Sequence, residues 1–236
     1  MRRLIVAIQF LTRLPTPRVA SNAEDFAGSM RWFPAVGLVI GAILAGAYWL
    51  GAMIDPWTGA LAALAAWVMV TGALHLDGLS DLADGCGAAH GDRSRLLAVM
   101  ADPHVGSFGV VAIALQLIAK LVLLHALGPS WPALILIPFA ARIGPLFWAR
   151  WLPSLHAGLG ARFAEAVRPA DLIAWTVLLL AAAWFVPGLL AAVLLVPAWM
   201  LWLRWKIGGI SGDGHGAGIE LVETGLLLAC VIVGRL

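Results

Sequence analysis

Three aspartates follow one another at fixed spacing directly after an apolar run: Asp77, Asp81 and Asp84. Steps of four and three residues place all three carboxylates along one face of a helix. Carboxylates this close repel one another unless a cation neutralises them, and hard oxygen ligands of this kind suit Mg²⁺ or Mn²⁺. The spacing therefore predicts a divalent metal site. The alternative, a solvated acidic helix end, is disfavoured because ionisable groups beside so apolar a run are costly.

The neighbours of this cluster suit a phosphate-bearing ligand. His75 directly precedes the cluster and is a candidate phosphate contact, and the absence of a side chain at Gly78 leaves room for a bulky group. Further on, Asp102 is a candidate additional metal ligand, although a helix cap is the alternative role for it. Gly106 and Ser107 follow at a predicted helix start, where free backbone N–H groups attract anions.

A second glycine-rich segment lies near the C-terminus, at residues 206–223. Backbone N–H groups and a hydroxyl at Gly209, Ser211 and Gly212 are candidates for wrapping a phosphate. Asp213 is a candidate metal ligand, and either Asp213 or Asp84 would serve as the general base. Glu220 and Glu223 are candidate substrate contacts on the helix that follows. A flexible linker is the alternative for this segment, and the sequence has no GxxxxGK[ST] motif of a P-loop ATPase.

The elements that position these residues must lie in a membrane. Of the 236 residues, 62% are hydrophobic and 12% are charged, whereas soluble domains carry about 25% charged residues. This composition excludes a water-soluble monomer and a disordered chain. No basic run of the kind that binds nucleic acid is present.

Apolar runs of spanning length predict the membrane helices. They occur at residues 32–54, 57–76, 106–127, 131–148, 172–205 and 219–233, and the fifth is long enough for two helices separated near residues 186–188. The prediction is therefore an all-α membrane helix bundle in one domain, 1–236, with about seven transmembrane helices. Residues 1–30 are predicted to form an N-terminal interfacial segment, because their apolar stretch is short and is interrupted by Arg13.

The distribution of charge predicts the orientation. With the N-terminus in the cytoplasm, most of the fifteen Lys and Arg residues fall in cytoplasmic segments, as the positive-inside rule requires. Residues 77–105 and 206–223 then form active-site segments on the cytoplasmic side. Arg13 and Arg93 lie on the same side and are candidate phosphate clamps.

In their order and spacing, the segments at 7–17, 33–37, 75–85, 102–109 and 208–223 resemble the cobalamin synthase family. These enzymes are the adenosylcobinamide-GDP ribazoletransferases, or cobalamin 5′-phosphate synthases. The chain departs from the family at Ser211, where threonine is usual, although the hydroxyl is kept.

The resemblance implies a reaction in the last steps of cobalamin biosynthesis. A hydroxyl of α-ribazole, or of its 5′-phosphate, attacks the phosphorus that bears the corrinoid arm of adenosylcobinamide-GDP, and GMP leaves. The family's requirement for Mg²⁺ agrees with the acidic cluster. The resemblance further implies a bacterial cytoplasmic membrane, with the site facing the cytoplasm. Self-association, or association with other enzymes of the pathway, stays open, as does the choice between nucleoside and nucleotide.

A proton- or ion-coupled secondary transporter is the alternative class. Transporters place their coupling residues near the bilayer midplane, whereas the acidic residues here gather at the inner water boundary. Lys120 and Arg142 are the charges well inside predicted spans. Snorkelling, or pairing within the bundle, is the expectation for these two residues.

Overall fold

The computed structural model describes residues 1–155 and 161–235, which are mainly α-helical. The helices, numbered along the chain, are α1 (Arg2–Leu11), α2 (Ala23–Ser29), α3 (Phe33–Ala52), α4 (Pro56–Thr71), α5 (Leu74–Ala88), α6 (Arg93–Met100), α7 (Ser107–Leu127), α8 (Trp131–Ala141), α9 (Gly144–Trp151), α10 (Ala161–Ala166), α11 (Pro169–Phe185), α12 (Ala192–Lys206) and α13 (Gly212–Val233). In the described ranges, pairing of extended backbone is limited to one isolated bridge between Ser154 and Ile210.

The helices confirm the predicted membrane bundle. Among the described residues, five helical stretches are long and apolar enough to cross a bilayer: Ala23–Ala52, Ser107–Leu127, Trp131–Trp151, Pro187–Lys206 and Gly212–Val233. The pair α4 and α5 passes the same test only when the two are taken together, and they are bent by 85°. The apolar helix α11 is shorter. With these two counted, the bundle has about seven membrane segments.

The bend between α4 and α5 changes the second predicted span. That span was expected to continue to residue 76, but α4 ends at Thr71 because Gly72 and Ala73 both have left-handed backbone, with φ of 60° and 58°. Two such residues in succession interrupt the helical hydrogen bonds. Arg13 lies over this corner: its backbone N–H donates to the Val70 carbonyl at 2.7 Å. As a result, the aspartates of α5 lie on a separate helix, bent by 85° from α4.

The last helix begins earlier than expected. The last predicted span begins at residue 219, within the glycine-rich segment 206–223, yet α13 starts at Gly212. Ser211 caps it by accepting the Gly214 N–H at 3.1 Å. Each helical glycine costs up to about 1 kcal/mol relative to alanine. Close packing offsets this cost, since a Cβ at Gly218 would collide with the Trp148 and Trp199 rings.

The predicted break near residue 187 is confirmed. Helix α11 ends at Phe185, a 3₁₀ turn occupies Pro187–Ala191, and α12 follows. Proline lacks the N–H that a continuing helix would need.

The N-terminal segment differs from the prediction in extent. Residues from Ala23 onward run continuously into the first apolar span. Helix α1 buries Val6, Ala7 and Leu11 on one face. Its Arg3 pairs with Glu24 at 3.1 Å, which ties α1 to α2.

Candidate functional site

The acidic site forms where α5 crosses the beginning of α13. At Gly78 a Cβ atom would lie 2.8 Å from both the Cα and the carbonyl oxygen of Asp213, so only glycine permits this approach. The crossing brings Asp77, Asp81 and Asp213 together, and we call these three residues the acidic cluster. The charges of Asp77, Asp213 and Asp84 all act on the Asp81 carboxyl. Two segments separated by more than 120 residues of chain thus contribute to one anionic surface.

Asp84 has a different environment from the cluster. It is 6% exposed, and its two carboxylate oxygens accept the backbone N–H groups of Gly106 at 2.7 Å and Gly109 at 2.9 Å. The predicted anion site at the start of α7 is therefore occupied by a carboxylate of the chain itself. This contact was not predicted from the sequence, although an aspartate on one helix and glycines at the start of another are the signal for it.

Asp102 is not brought to the acidic cluster. Its carboxylate accepts the His104 backbone N–H at 2.9 Å and lies 2.6 Å from Nδ1 of the same residue, within an exposed turn. These hydrogen bonds hold the pKa of Asp102 below its usual value. The structure gives Asp102 the local role of a turn residue and does not make it the cap of α7. Ser107 is the exposed first residue of that helix.

The segment before α13 has Arg93 against it. The Arg93 guanidinium covers Gly208, whose φ of 81° and lack of a side chain allow the contact. Gly209 faces inward, where a Cβ would meet the Pro153 carbonyl, and the Ser211 hydroxyl is used in capping. Gly212 is exposed, with open space around its Cα. Of the predicted phosphate contacts here, Arg93 and Gly212 face solvent.

Arg13 lies at the corner that leads into α5. Its side chain covers Gly72, and the residue is exposed. It is thus placed a short distance along the chain from the first residues of the acidic helix.

Glu220 and Glu223 do not face the acidic cluster. They belong to a buried charge network in which Lys120 Nζ lies 2.7 Å from Glu220 and 2.6 Å from Glu223. Arg142 Nη1 lies 2.7 Å from the second oxygen of Glu223, and both side chains are fully buried. Gln116 also donates to Glu220, at 2.9 Å. Lys120 and Arg142 are therefore paired within the bundle, and their partners are Glu220 and Glu223.

His75 is buried at the first turn of α5. It is 2% exposed, and neither ring nitrogen has a hydrogen-bond partner among the described residues. It lines a cavity of about 140 Å³ that also includes Asp77 and Asp213. His75 is therefore adjacent to the acidic cluster.

The donor types of the cluster fit a hard divalent cation, because carboxylate oxygens are the preferred ligands of Mg²⁺. Within residues 1–155 and 161–235, however, no three His, Cys, Asp or Glu side chains are arranged to hold a metal ion. Ligation would require the carboxylates of the cluster to turn toward a common point. The acidic cluster therefore fits a divalent cation in its charge and in its donor atoms.

Together, these features define a polytopic membrane protein with an anionic site at one end of its bundle. The sequence model of the cobalamin-5-phosphate synthase family matches residues 3–231. The chain therefore belongs to this family, as the resemblance of its motifs predicted, and it is a transferase.

Three relatives, each named adenosylcobinamide-GDP ribazoletransferase, match nearly the whole chain. The protein of Novosphingobium aromaticivorans is 64% identical over 99% of this chain and 98% of its own length. That of Thiobacillus denitrificans is 50% identical over 97% and 94%, and that of Laribacter hongkongensis is 51% identical over 100% and 99%. No solved structure gives a significant match.

Proposed function

We propose that this protein joins adenosylcobinamide-GDP to α-ribazole, or to its 5′-phosphate, and releases GMP. The product is adenosylcobalamin or its 5′-phosphate. Family membership and the names of the relatives support this reaction. The structural observation that carries it is the crossing at Gly78, which gathers carboxylates from α5 and α13 on one surface.

The acidic cluster is the proposed metal site. Asp77, Asp81 and Asp213 would hold Mg²⁺, with Mn²⁺ as the alternative ion. Such an ion would supply positive charge to neutralise diphosphate oxygens and the charge that develops on departing GMP. Asp84 acts behind the cluster: by accepting two N–H groups of α7, it fixes α5 relative to α7.

The reaction requires that the attacking hydroxyl lose its proton as it bonds to phosphorus. The ribazole oxygen forms a bond to the phosphorus that bears the corrinoid arm, the bond from that phosphorus to the GMP oxygen breaks, and the proton passes to a carboxylate. We assign the acceptor role to Asp213. Asp84, the other candidate from the sequence, is buried, and its two oxygens already accept backbone N–H groups of α7.

Binding of the anionic substrates falls to basic groups near this surface. Arg93, which covers Gly208, and Arg13, which covers Gly72, are the proposed phosphate contacts. The exposed N–H of Gly212 at the start of α13 is a further donor. We place this face on the cytoplasmic side of a bacterial inner membrane, because the basic residues of the chain concentrate there.

A turnover assay tests the proposal. The purified protein in nanodiscs is supplied with adenosylcobinamide-GDP and either α-ribazole or its 5′-phosphate, with and without Mg²⁺, and GMP and cobamide are quantified. We expect GMP and cobamide in equal amounts, only with the ion present. Folded protein that forms no product with either acceptor would overturn the proposal, and flux through proteoliposomes would then test the transporter alternative.

A further inference from the structure

The cavity beside the acidic cluster has two chemically different sides. One side is apolar and aromatic, with Phe33, Met30 and Ile219 among its lining residues. The other side carries the carboxylates of Asp77 and Asp213. The volume is about 140 Å³, and an apolar protein cavity of about 150 Å³ holds a benzene ring. The cavity thus has room for the six-membered ring of a fused aromatic base, whose second ring would extend toward the opening beside the carboxylates.

The wall of this cavity contains two histidines with buried ring nitrogens that lack a partner among the described residues, His75 and, at Nδ1, His215. His75 is 2% exposed, and both of its ring nitrogens lack a hydrogen-bond partner in the described part of the chain. Buried polar atoms are nearly always paired, so an unpaired imidazole beside a cavity is expected to find its partner in a ligand. A neutral imidazole offers one N–H donor and one acceptor nitrogen.

We propose that this cavity binds the aromatic base of the incoming nucleoside, with His75 donating a hydrogen bond to the free ring nitrogen. A benzimidazole base is planar and apolar, and it has one acceptor nitrogen once the other carries the ribose. The apolar lining matches the ring, and the His75 donor matches that nitrogen. This inference rests on the proposed function, and it assigns the nucleoside subsite and the residue that selects its base.

The position of the cavity agrees with the direction of the chemistry. Asp77 is exposed and Gly212 borders open space, so the cavity opens toward the acidic cluster. A base seated against Phe33 and His75 directs its ribose to that opening. The attacking hydroxyl then lies on the side of Asp213, the proposed proton acceptor.

The first test changes the size of the cavity. Met30→Ala enlarges it, and the matched control is Met100→Ala, because Met100 is a buried core methionine that does not line the cavity. We expect Met30→Ala to raise the KM for α-ribazole phosphate about tenfold and to shift preference toward a nucleotide with a bulkier tricyclic base. The KM for adenosylcobinamide-GDP should stay unchanged. Met100→Ala should change neither the KM for α-ribazole phosphate nor the preference between bases.

The second test removes the hydrogen bond. Wild-type protein should bind a benzimidazole nucleotide about tenfold more tightly than an indole nucleotide, which lacks the acceptor nitrogen. His75→Phe keeps a planar aromatic ring but removes both ring nitrogens, and it should bring that ratio to one. Binding is measured by calorimetry with the nucleotide alone, so the result does not depend on turnover.

The outcomes separate this inference from the proposed function. Base discrimination that is equal in wild type and His75→Phe, or a KM change confined to the corrinoid substrate, would overturn the assigned subsite while leaving the reaction intact. Selective nucleotide binding without GMP release would support the subsite and contradict the reaction.

Discussion

The Asp84 carboxylate accepts the backbone N–H of Gly106, with an Oδ2–N distance of 2.7 Å across 22 residues of chain. The contact places a full negative charge at the positive end of α7. Asp84 therefore shares the spacing of Asp77 and Asp81 but differs from them in what it does. The three aspartates separate into two exposed or half-buried groups that face the site and one that holds two helices together.

Replacing Asp84 should affect stability first. Asp84→Ala leaves the Gly106 and Gly109 N–H groups without their acceptor, and loss of a helix cap costs about 1–2 kcal/mol. We expect a lower thermal unfolding midpoint in detergent, with residual turnover at temperatures where the variant is folded. Complete loss of turnover at an unchanged midpoint would instead show that Asp84 acts in the reaction, as a metal ligand or as the general base.

Replacing Asp81 should reduce turnover without reducing stability. Asp81→Asn removes a carboxylate on which three other negative charges act, so the unfolding midpoint stays the same or rises. Turnover should fall at least about 100-fold, because a metal ligand is lost. Asp92→Asn, which alters an exposed cap of α6, is the matched control and should retain turnover. Turnover of Asp81→Asn near that of wild type would rule out the proposed ligand.

Asp102 should be dispensable for turnover. Asp102→Asn keeps an oxygen that can accept the His104 N–H, and we expect kcat/KM within about twofold of wild type. Because hydrogen bonds hold its pKa below the usual value, the Asp102 carboxylate stabilises its turn at neutral pH. That contribution is lost only as pH falls through the lowered pKa. A large loss of Mg²⁺ affinity in Asp102→Asn would contradict this placement.

The glycine at the crossing of α5 and α13 should be essential. Gly78→Ala introduces a Cβ only 2.8 Å from Asp213 main-chain atoms, so the two helices must separate and the cluster opens. We expect turnover to fall more than about tenfold. Gly46→Ala is the control: it also lies within a helix, but its Cβ meets open space, and the change should be neutral or stabilising. Equal effects of the two substitutions on turnover would show that the close approach is unimportant.

The buried charge network should behave as a unit. Arg142→Met leaves Glu223 with Lys120 as its remaining cationic partner, and breaking a buried pair costs about 3–5 kcal/mol. The double variant Arg142→Met/Glu223→Gln should recover part of that loss, since no uncompensated charge is left. Thermal unfolding of the two single variants and the double variant measures the coupling. Additive losses would show that the two residues do not interact.

The resemblance and the composition predicted much of this protein. The all-α membrane bundle, the break near Pro187 and the family are confirmed. The gathering of α5 aspartates into a metal site stays a prediction. The helical state of residues 212–218 was not predictable from composition, because glycine disfavours an isolated helix and only close contacts with neighbouring helices stabilise it here.

By itself, the sequence determined which residues are apolar enough to lie in a membrane and which acidic residues share a helix face, since both follow from local order along the chain. Tertiary structure decided which acidic residues face the site and which pair with other groups of the chain. Contacts across more than 80 residues of chain assign Glu220 and Glu223 to Lys120 and Arg142 and bring Asp213 to Gly78. A carboxylate's role depends on which charges and N–H groups surround it, and that surrounding exists only once distant helices have packed together.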